Sequence, residues 1–147
     1  MTKRSRHFWI EAVLLALVVV SVATAITVSE LSPLTKDDLR LEVASLRSFA
    51  QDGAQLTNQH IAGQTTQTFF DSQAEQIKVK VDSSLKTLRN SSVKPEIETD
   101  RRYAMNLAEH LSSEFDRLST SQLELERSGP RLKTLGKQLR EMEERMK

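Results

Sequence analysis

The residues of this sequence best suited to chemistry are its three histidines, His7, His60 and His110. A neutral imidazole ligates transition metals, and it exchanges a proton near neutral pH. His110 precedes Glu114 by four residues, about one helical turn, so both side chains can reach one metal ion. Two ligands leave such a site incomplete, because zinc sites take three or four protein ligands. Met105 and His110 also form a Met–His pair of the kind that holds haem, an analogy that rests on the fold alone.

Other signatures of catalysis are absent from the sequence. It contains no cysteine, which excludes thiol catalysis, disulfides and cysteine-ligated metal. It has no Gly-x-Ser-x-Gly elbow, phosphate loop or dinucleotide fingerprint. A net charge of +1 gives no basic bias toward nucleic acid. We therefore predict a non-enzymatic protein with no catalytic, cofactor-binding or metal-binding residues, no nucleic-acid partner and no evident small-molecule substrate. A small haem- or metal-binding bundle is kept as an alternative.

The N-terminal region has the composition of a membrane segment. Three Lys/Arg residues within the first seven positions precede an apolar stretch over 8–28, in which Glu11 is the one charged side chain. A helix of about 21 residues, rising about 1.5 Å per residue, covers the roughly 30 Å hydrocarbon core. Trp9 suits the membrane interface. The predicted segments are a cytoplasmic basic tail (1–7), a transmembrane signal-anchor helix (8–28), a juxtamembrane linker (29–35) and an extracytoplasmic helical bundle (36–147).

A cleaved signal peptide and a buried core helix are two alternative interpretations of this segment. The triplet Ala23-Thr24-Ala25 fits the small-residue pattern of a signal peptide cleaved after Ala25. The apolar run continues through Val28, which favours an uncleaved anchor. A buried core helix is disfavoured because no polar face interrupts residues 12–20. The basic tail places the N-terminus in the cytoplasm and the rest of this single-pass chain outside it, in the periplasm if the cell is Gram-negative.

The remaining sequence predicts an all-α protein. Apolar residues recur every three or four positions, which places them on one face of each helix. Short connections make successive helices antiparallel, as in an up-down bundle of about four helices. One residue from each helix is expected in a shared interior: Leu46, Ile77, Leu111 and Leu139. The predicted helices lie near 36–62, 66–90, 95–127 and 131–146.

The sequence carries two different signals for the position of the last turn. Ser128-Gly129-Pro130 is a strong break signal, and the helices above place the turn there. Ser121 and Glu124 form a capping-box pattern, which places the turn at 119–121 instead. A second architecture, a long kinked helical hairpin or coiled coil, is favoured by apolar residues spaced by sevens. These residues are Ile97, Ala104, Leu111, Leu118, Leu125, Leu132, Leu139 and Met146.

The function predicted from this organisation is binding. A helical domain tethered by one span offers helix faces and hairpin tips for docking, and the tether keeps it concentrated near neighbouring membrane proteins. We expect a protein-binding module whose partner is another envelope protein or a second copy of the chain. The segment from 55 to 68, rich in Gln, Thr and Asn, is a candidate contact surface at the hairpin tip. The alternative is a self-associating coiled-coil scaffold or spacer.

Overall fold

A computed structural model describes residues 33–118 and 122–147 of this chain. Leu34–Lys147 forms one compact unit, and it contains every helix described below. The predicted tail at 1–7 and the predicted span at 8–28 lie outside the described residues. Within the described ranges, no helix is both long enough and apolar enough to cross a membrane.

Four α-helices occur in this part of the chain: α1 at Lys36–Ile61, α2 at Gln67–Asn90, α3 at Pro95–Arg117 and α4 at Gln122–Arg145. Each helix packs against the next, and α4 makes its most extensive contact with α1, which closes the bundle. The predicted all-α helical bundle is thereby confirmed.

Contacts between distant residues show that neighbouring helices are antiparallel. Arg47, early in α1, forms an ion pair with Glu143, late in α4, at 2.6 Å. The guanidinium of Arg145, at the end of α4, lies 5.6 Å from the ring centre of Tyr103, early in α3. Because α3 and α4 fold back on each other, the alternative of one long kinked helix through this region is wrong.

The helix starts follow the sequence signals. Thr35 and Asp38 form a capping box, in which the Thr35 hydroxyl accepts from the Asp38 N–H and the Asp38 carboxylate accepts from the Thr35 N–H. Thr66 caps α2 by accepting from a backbone N–H three residues on. Pro95 occupies the first turn of α3, where its missing N–H costs nothing. Gly63 adopts a φ of 71° just after α1, a conformation that glycine tolerates best.

The boundary between the last two helices differs from the main prediction. The helices predicted at 95–127 and 131–146 are wrong, because α3 ends at Arg117 and α4 begins at Gln122. The alternative turn, at 119–121, lies outside the described residues, between these two helix ends. Pro130 lies inside α4 instead of starting a new helix.

The residue before the proline explains why the helix continues. A proline ring normally clashes with the Cβ of a helical residue that precedes it. Residue 129 is glycine and has no Cβ, so this clash is missing. The carbonyl oxygen of Pro130 accepts a hydrogen bond from the Thr134 hydroxyl at 3.0 Å. The missing Cβ removes one cost of continuing the helix. The lost backbone hydrogen bond and the crowding of the Glu126 carbonyl by the proline ring remain.

The core confirms the predicted interior. Leu46, Ile77, Leu111 and Leu139, one from each helix, are all buried and belong to a single apolar cluster. Gly53 leaves the space that the Phe115 ring occupies in this cluster, since a Cβ at position 53 would lie 2.5 Å from the Phe115 Cζ. The absence of a side chain at position 53 thus sets how closely α1 approaches α3.

The chain enters the bundle at a fixed point. Leu34 pairs with Val93 in an isolated parallel bridge, and its N–H donates to the Ser92 carbonyl at 2.8 Å. This contact places the start of α1 beside the α2–α3 loop. We call this end of the bundle the base, and the opposite end, where α1 and α2 connect, the tip.

Candidate functional site

The histidines singled out by the sequence lie in different surroundings. His60, in the last turn of α1, stacks on the ring of Phe70 with 4.4 Å between ring centres, and its Nδ1 lies 3.1 Å from the Thr65 hydroxyl. Its role is to fasten the start of α2 to the end of α1. His110 is exposed on α3. His7 lies outside the described residues.

His110 and Glu114 do lie together, on the wall of a groove between α3 and α4. The groove has a volume of about 470 Å³. The Glu114 carboxylate is almost completely buried, and it forms ion pairs with Arg117 at 2.7 Å and Arg131 at 3.6 Å. The Ser128 hydroxyl donates to it at 3.3 Å. These partners make Glu114 a structural link between the two helices.

The ligand sets considered for His110 do not assemble around it. In the described ranges, no three His, Asp, Glu or Cys side chains lie close enough to share a metal ion. Met105 contacts another partner, since the Arg101 guanidinium lies 3.6 Å from its sulfur. Because Glu114 pairs with both arginines and Glu124 also pairs with Arg131, the two arginines of the α3–α4 groove already have carboxylate partners.

A second groove, between α1 and α4, has a different character. Its volume is about 380 Å³ and its floor includes Ala54 and Gly136. One wall is basic and carries Lys133, Lys137 and Arg140 of α4. The opposite wall consists of side-chain amides of α1, and no carboxylate lines the groove. We call it the basic groove; the amides are those of Gln51, Gln55 and Asn58.

Small residues shape this groove. A Cβ at Gly136 would lie 3.6 Å from the Ala50 Cβ and 3.8 Å from the Gln51 Cγ, both ordinary contacts. The helices therefore pack closely, while the missing side chain at position 136 leaves the channel open. Sequence reasoning missed the site, although basic residues four and three apart on α4 were a visible signal.

The α1–α2 connection at the tip is unusual for its lack of charge. Residues 53–70 contain no Asp, Glu, Lys or Arg, in a chain of which 28% is charged. Two large apolar side chains are exposed there, Ile61 to 45% and Phe69 to 50%. Leu123, exposed to 57%, lies in the first turn of α4 at the same end. The predicted contact segment 55–68 falls within this tip.

A network of ion pairs also lies at the base. Arg101 binds the Glu98 carboxylate with two nitrogens, at 2.9 and 3.0 Å, and donates to the Leu88 carbonyl at 2.7 Å. Arg102 binds the same carboxylate at 2.6 Å. The hydrogen bonds from Arg101 and then Arg102 lower the pKa of Glu98 from 4.5 to about 2. This network fastens the start of α3 to the end of α2.

Comparison with protein-family models, curated proteins and solved structures gives no match for this chain. The class that the fold itself defines is an antiparallel helical bundle. Its distinguishing surfaces are the basic groove and the uncharged tip.

Proposed function

We propose that the protein is a membrane-tethered, extracytoplasmic binding module that docks another envelope protein through its tip and catalyses no reaction. The observation that carries this proposal is the charge-free segment 53–70. The centres of protein–protein interfaces are depleted of charge and enriched in aromatic side chains. Here exposed Ile61 and Phe69 lie within an uncharged stretch, at the end of the bundle farthest from Leu34.

The tether is supported by the sequence. The apolar stretch 8–28 is long enough to cross the roughly 30 Å hydrocarbon core as a helix, and three Lys/Arg residues precede it. Membrane fractions washed with alkaline carbonate should retain the full chain. A mature N-terminus at Ile26 would show that the segment is a cleaved signal peptide.

Self-association through a coiled coil has less support. Of the eight apolar residues spaced by sevens, seven are buried in the bundle and Ile97 is partly buried. They leave no apolar seam for a second copy. Mass measurement of the full chain in detergent separates the two proposals: the binding module is monomeric, whereas the scaffold is a stable dimer or larger.

Co-purification from membranes tests the docking surface. The double variant Ile61→Ser, Phe69→Ser should lose a partner that the wild-type chain retains. Val79→Ser is the matched control, because Val79 is equally apolar and is exposed in the middle of α2. Retention of the partner by the double variant, or equal loss in the control, would contradict docking at the tip.

A further inference from the structure

We infer that the basic groove binds an acidic helix of a partner protein, one that carries Asp or Glu at positions i, i+4 and i+7. This inference rests on the proposed function in one respect: the ligand is a segment of a protein. The groove shares Ala54, Gln55 and Asn58 with the charge-free segment. Its cations, however, are different residues from the exposed Ile61 and Phe69 of the tip, so the two surfaces are separable by mutation.

The sign of the ligand's charge follows from the charges that line the groove. Lys133, Lys137 and Arg140 contribute three cations, and the lining contains no carboxylate. The α3–α4 groove differs, because the buried Glu114 pairs with both of its arginines and Glu124 pairs with Arg131 as well. An anionic ligand is therefore attracted to the basic groove and has no comparable attraction to its neighbour.

The three cations differ in how available they are. Lys137 lies 3.8 Å from Glu141, and Arg140 lies 2.9 Å from Glu144, each pair within α4. Lys133 makes no ion pair with any residue of the described ranges. A partner carboxylate thus competes with an existing pair at two positions and meets no competitor at Lys133.

The shape of the ligand follows from spacing and exposure. The basic residues are four and three positions apart, so they rise about 6 and 4.5 Å along α4. Acidic residues at i, i+4 and i+7 of another helix have the same spacings. The side chains of Lys137 and Arg140 are 77% and 67% exposed, so they stand at the rim in water. A small-molecule site buries most of its ligand, whereas an open groove can bind a helix that lies along it.

The side-chain amides on the opposite wall of the groove are also compatible with an acidic helix. Gln51, Gln55 and Asn58 are spaced four and three apart on α1, opposite the cations. Side-chain amides donate and accept hydrogen bonds, so they accept polar neighbours of the acidic residues without charge repulsion. A helix seated on the floor of Ala54 and Gly136 is flanked by cations on one side and neutral donors on the other.

The test uses the full chain in detergent and two stapled helical peptides of identical composition. One carries three Glu at i, i+4 and i+7, and the other has them spread around the helix. We expect the striped peptide to bind up to about tenfold more tightly, because exposed ion pairs are individually weak and two of the three must displace an existing pair. Binding should weaken as salt rises from 0.1 to 1 M, since the Debye length shortens from about 10 to 3 Å.

Variants locate the binding and separate it from the tip. The triple variant Lys133→Gln, Lys137→Gln, Arg140→Gln should lose about tenfold in affinity, with Lys133→Gln the largest single effect. Lys86→Gln, a charge change on α2, is the control and should bind as wild type. The tip variant Phe69→Ser should also bind the peptide normally, so failure of tip docking and failure of the groove are distinguishable.

Four results would overturn the inference. They are equal affinity for the two peptides, no loss in the triple variant, no binding of the striped peptide up to about 1 mM, and tighter binding of tripolyphosphate than of the striped peptide. The last result would assign the groove to a phosphate ligand.

Discussion

Two glycine-to-alanine substitutions should have opposite effects on stability, although both sites are buried in helices. Alanine favours a helix over glycine by about 1 kcal/mol. At Gly136 the new Cβ meets atoms no nearer than 3.6 Å, so Gly136→Ala should stabilise the bundle by about 0.5–1 kcal/mol. At Gly53 the same atom lies 2.5 Å from the Phe115 Cζ, 3.0 Å from its Cε1 and 3.3 Å from a Leu132 methyl carbon.

The Gly53 clash outweighs the gain in helix propensity. Phe115 is buried, so its ring has no open space to move into. Overpacking of this kind costs about 1–3 kcal/mol, which leaves Gly53→Ala less stable than wild type by roughly 1 kcal/mol. The two variants should therefore differ by about 2 kcal/mol, or roughly 8 °C in Tm at about 4 °C per kcal/mol.

Thermal unfolding of the full chain in detergent, followed by circular dichroism at 222 nm, measures this difference. The double variant Gly53→Ala, Phe115→Leu provides an internal check. A shorter side chain at position 115 relieves the contact, so the two substitutions should be less destabilising together than their sum. If Gly53→Ala is as stable as Gly136→Ala, then α1 and α3 do not approach as closely as described.

The remaining predictions concern the core and the base. Leu111→Ala and Leu139→Ala should each cost about 2–5 kcal/mol, whereas Lys86→Ala at an exposed site should stay within about 0.5 kcal/mol in denaturant titrations. Because the pKa of Glu98 falls from 4.5 to about 2 in the folded state, its pairing stabilises fully above pH 4.5 and is lost as pH falls toward 2. Glu98→Gln should flatten acid unfolding in that window, and an unchanged profile would mean that the Arg101 pair contributes nothing.

Local signals in the sequence predicted most of the fold. Thr35 and Asp38 cap α1 as their spacing indicates, and the stripes that contain Leu46 and Ile77 are buried. Such signals work because capping and amphipathicity depend on residues within one or two turns of each other. The break predicted at Ser128-Gly129-Pro130 is wrong, because the effect of Pro130 on the helix depends on the glycine that precedes it.

The surfaces were harder to predict because they depend on how separate helices align. Gln51 and Arg140 line the same groove although they are 89 positions apart in the sequence. No pattern within α4 alone reveals that its basic stripe faces amides. The sequence predicted part of the tip, as a Gln- and Thr-rich contact segment. It could not predict the exposure of Phe69, because that depends on how α1 and α2 meet.

The central claim is that the tip lies outside the cytoplasm and is covered by a partner. Because the chain has no cysteine, one introduced residue gives a unique label. Intact cells that carry Ile61→Cys or Val79→Cys can be treated with a membrane-impermeant maleimide. We expect both cysteines to react without permeabilisation, and position 61 to react more slowly than position 79. Reaction only after permeabilisation would refute the topology, and equal rates at the two positions would contradict a docked tip.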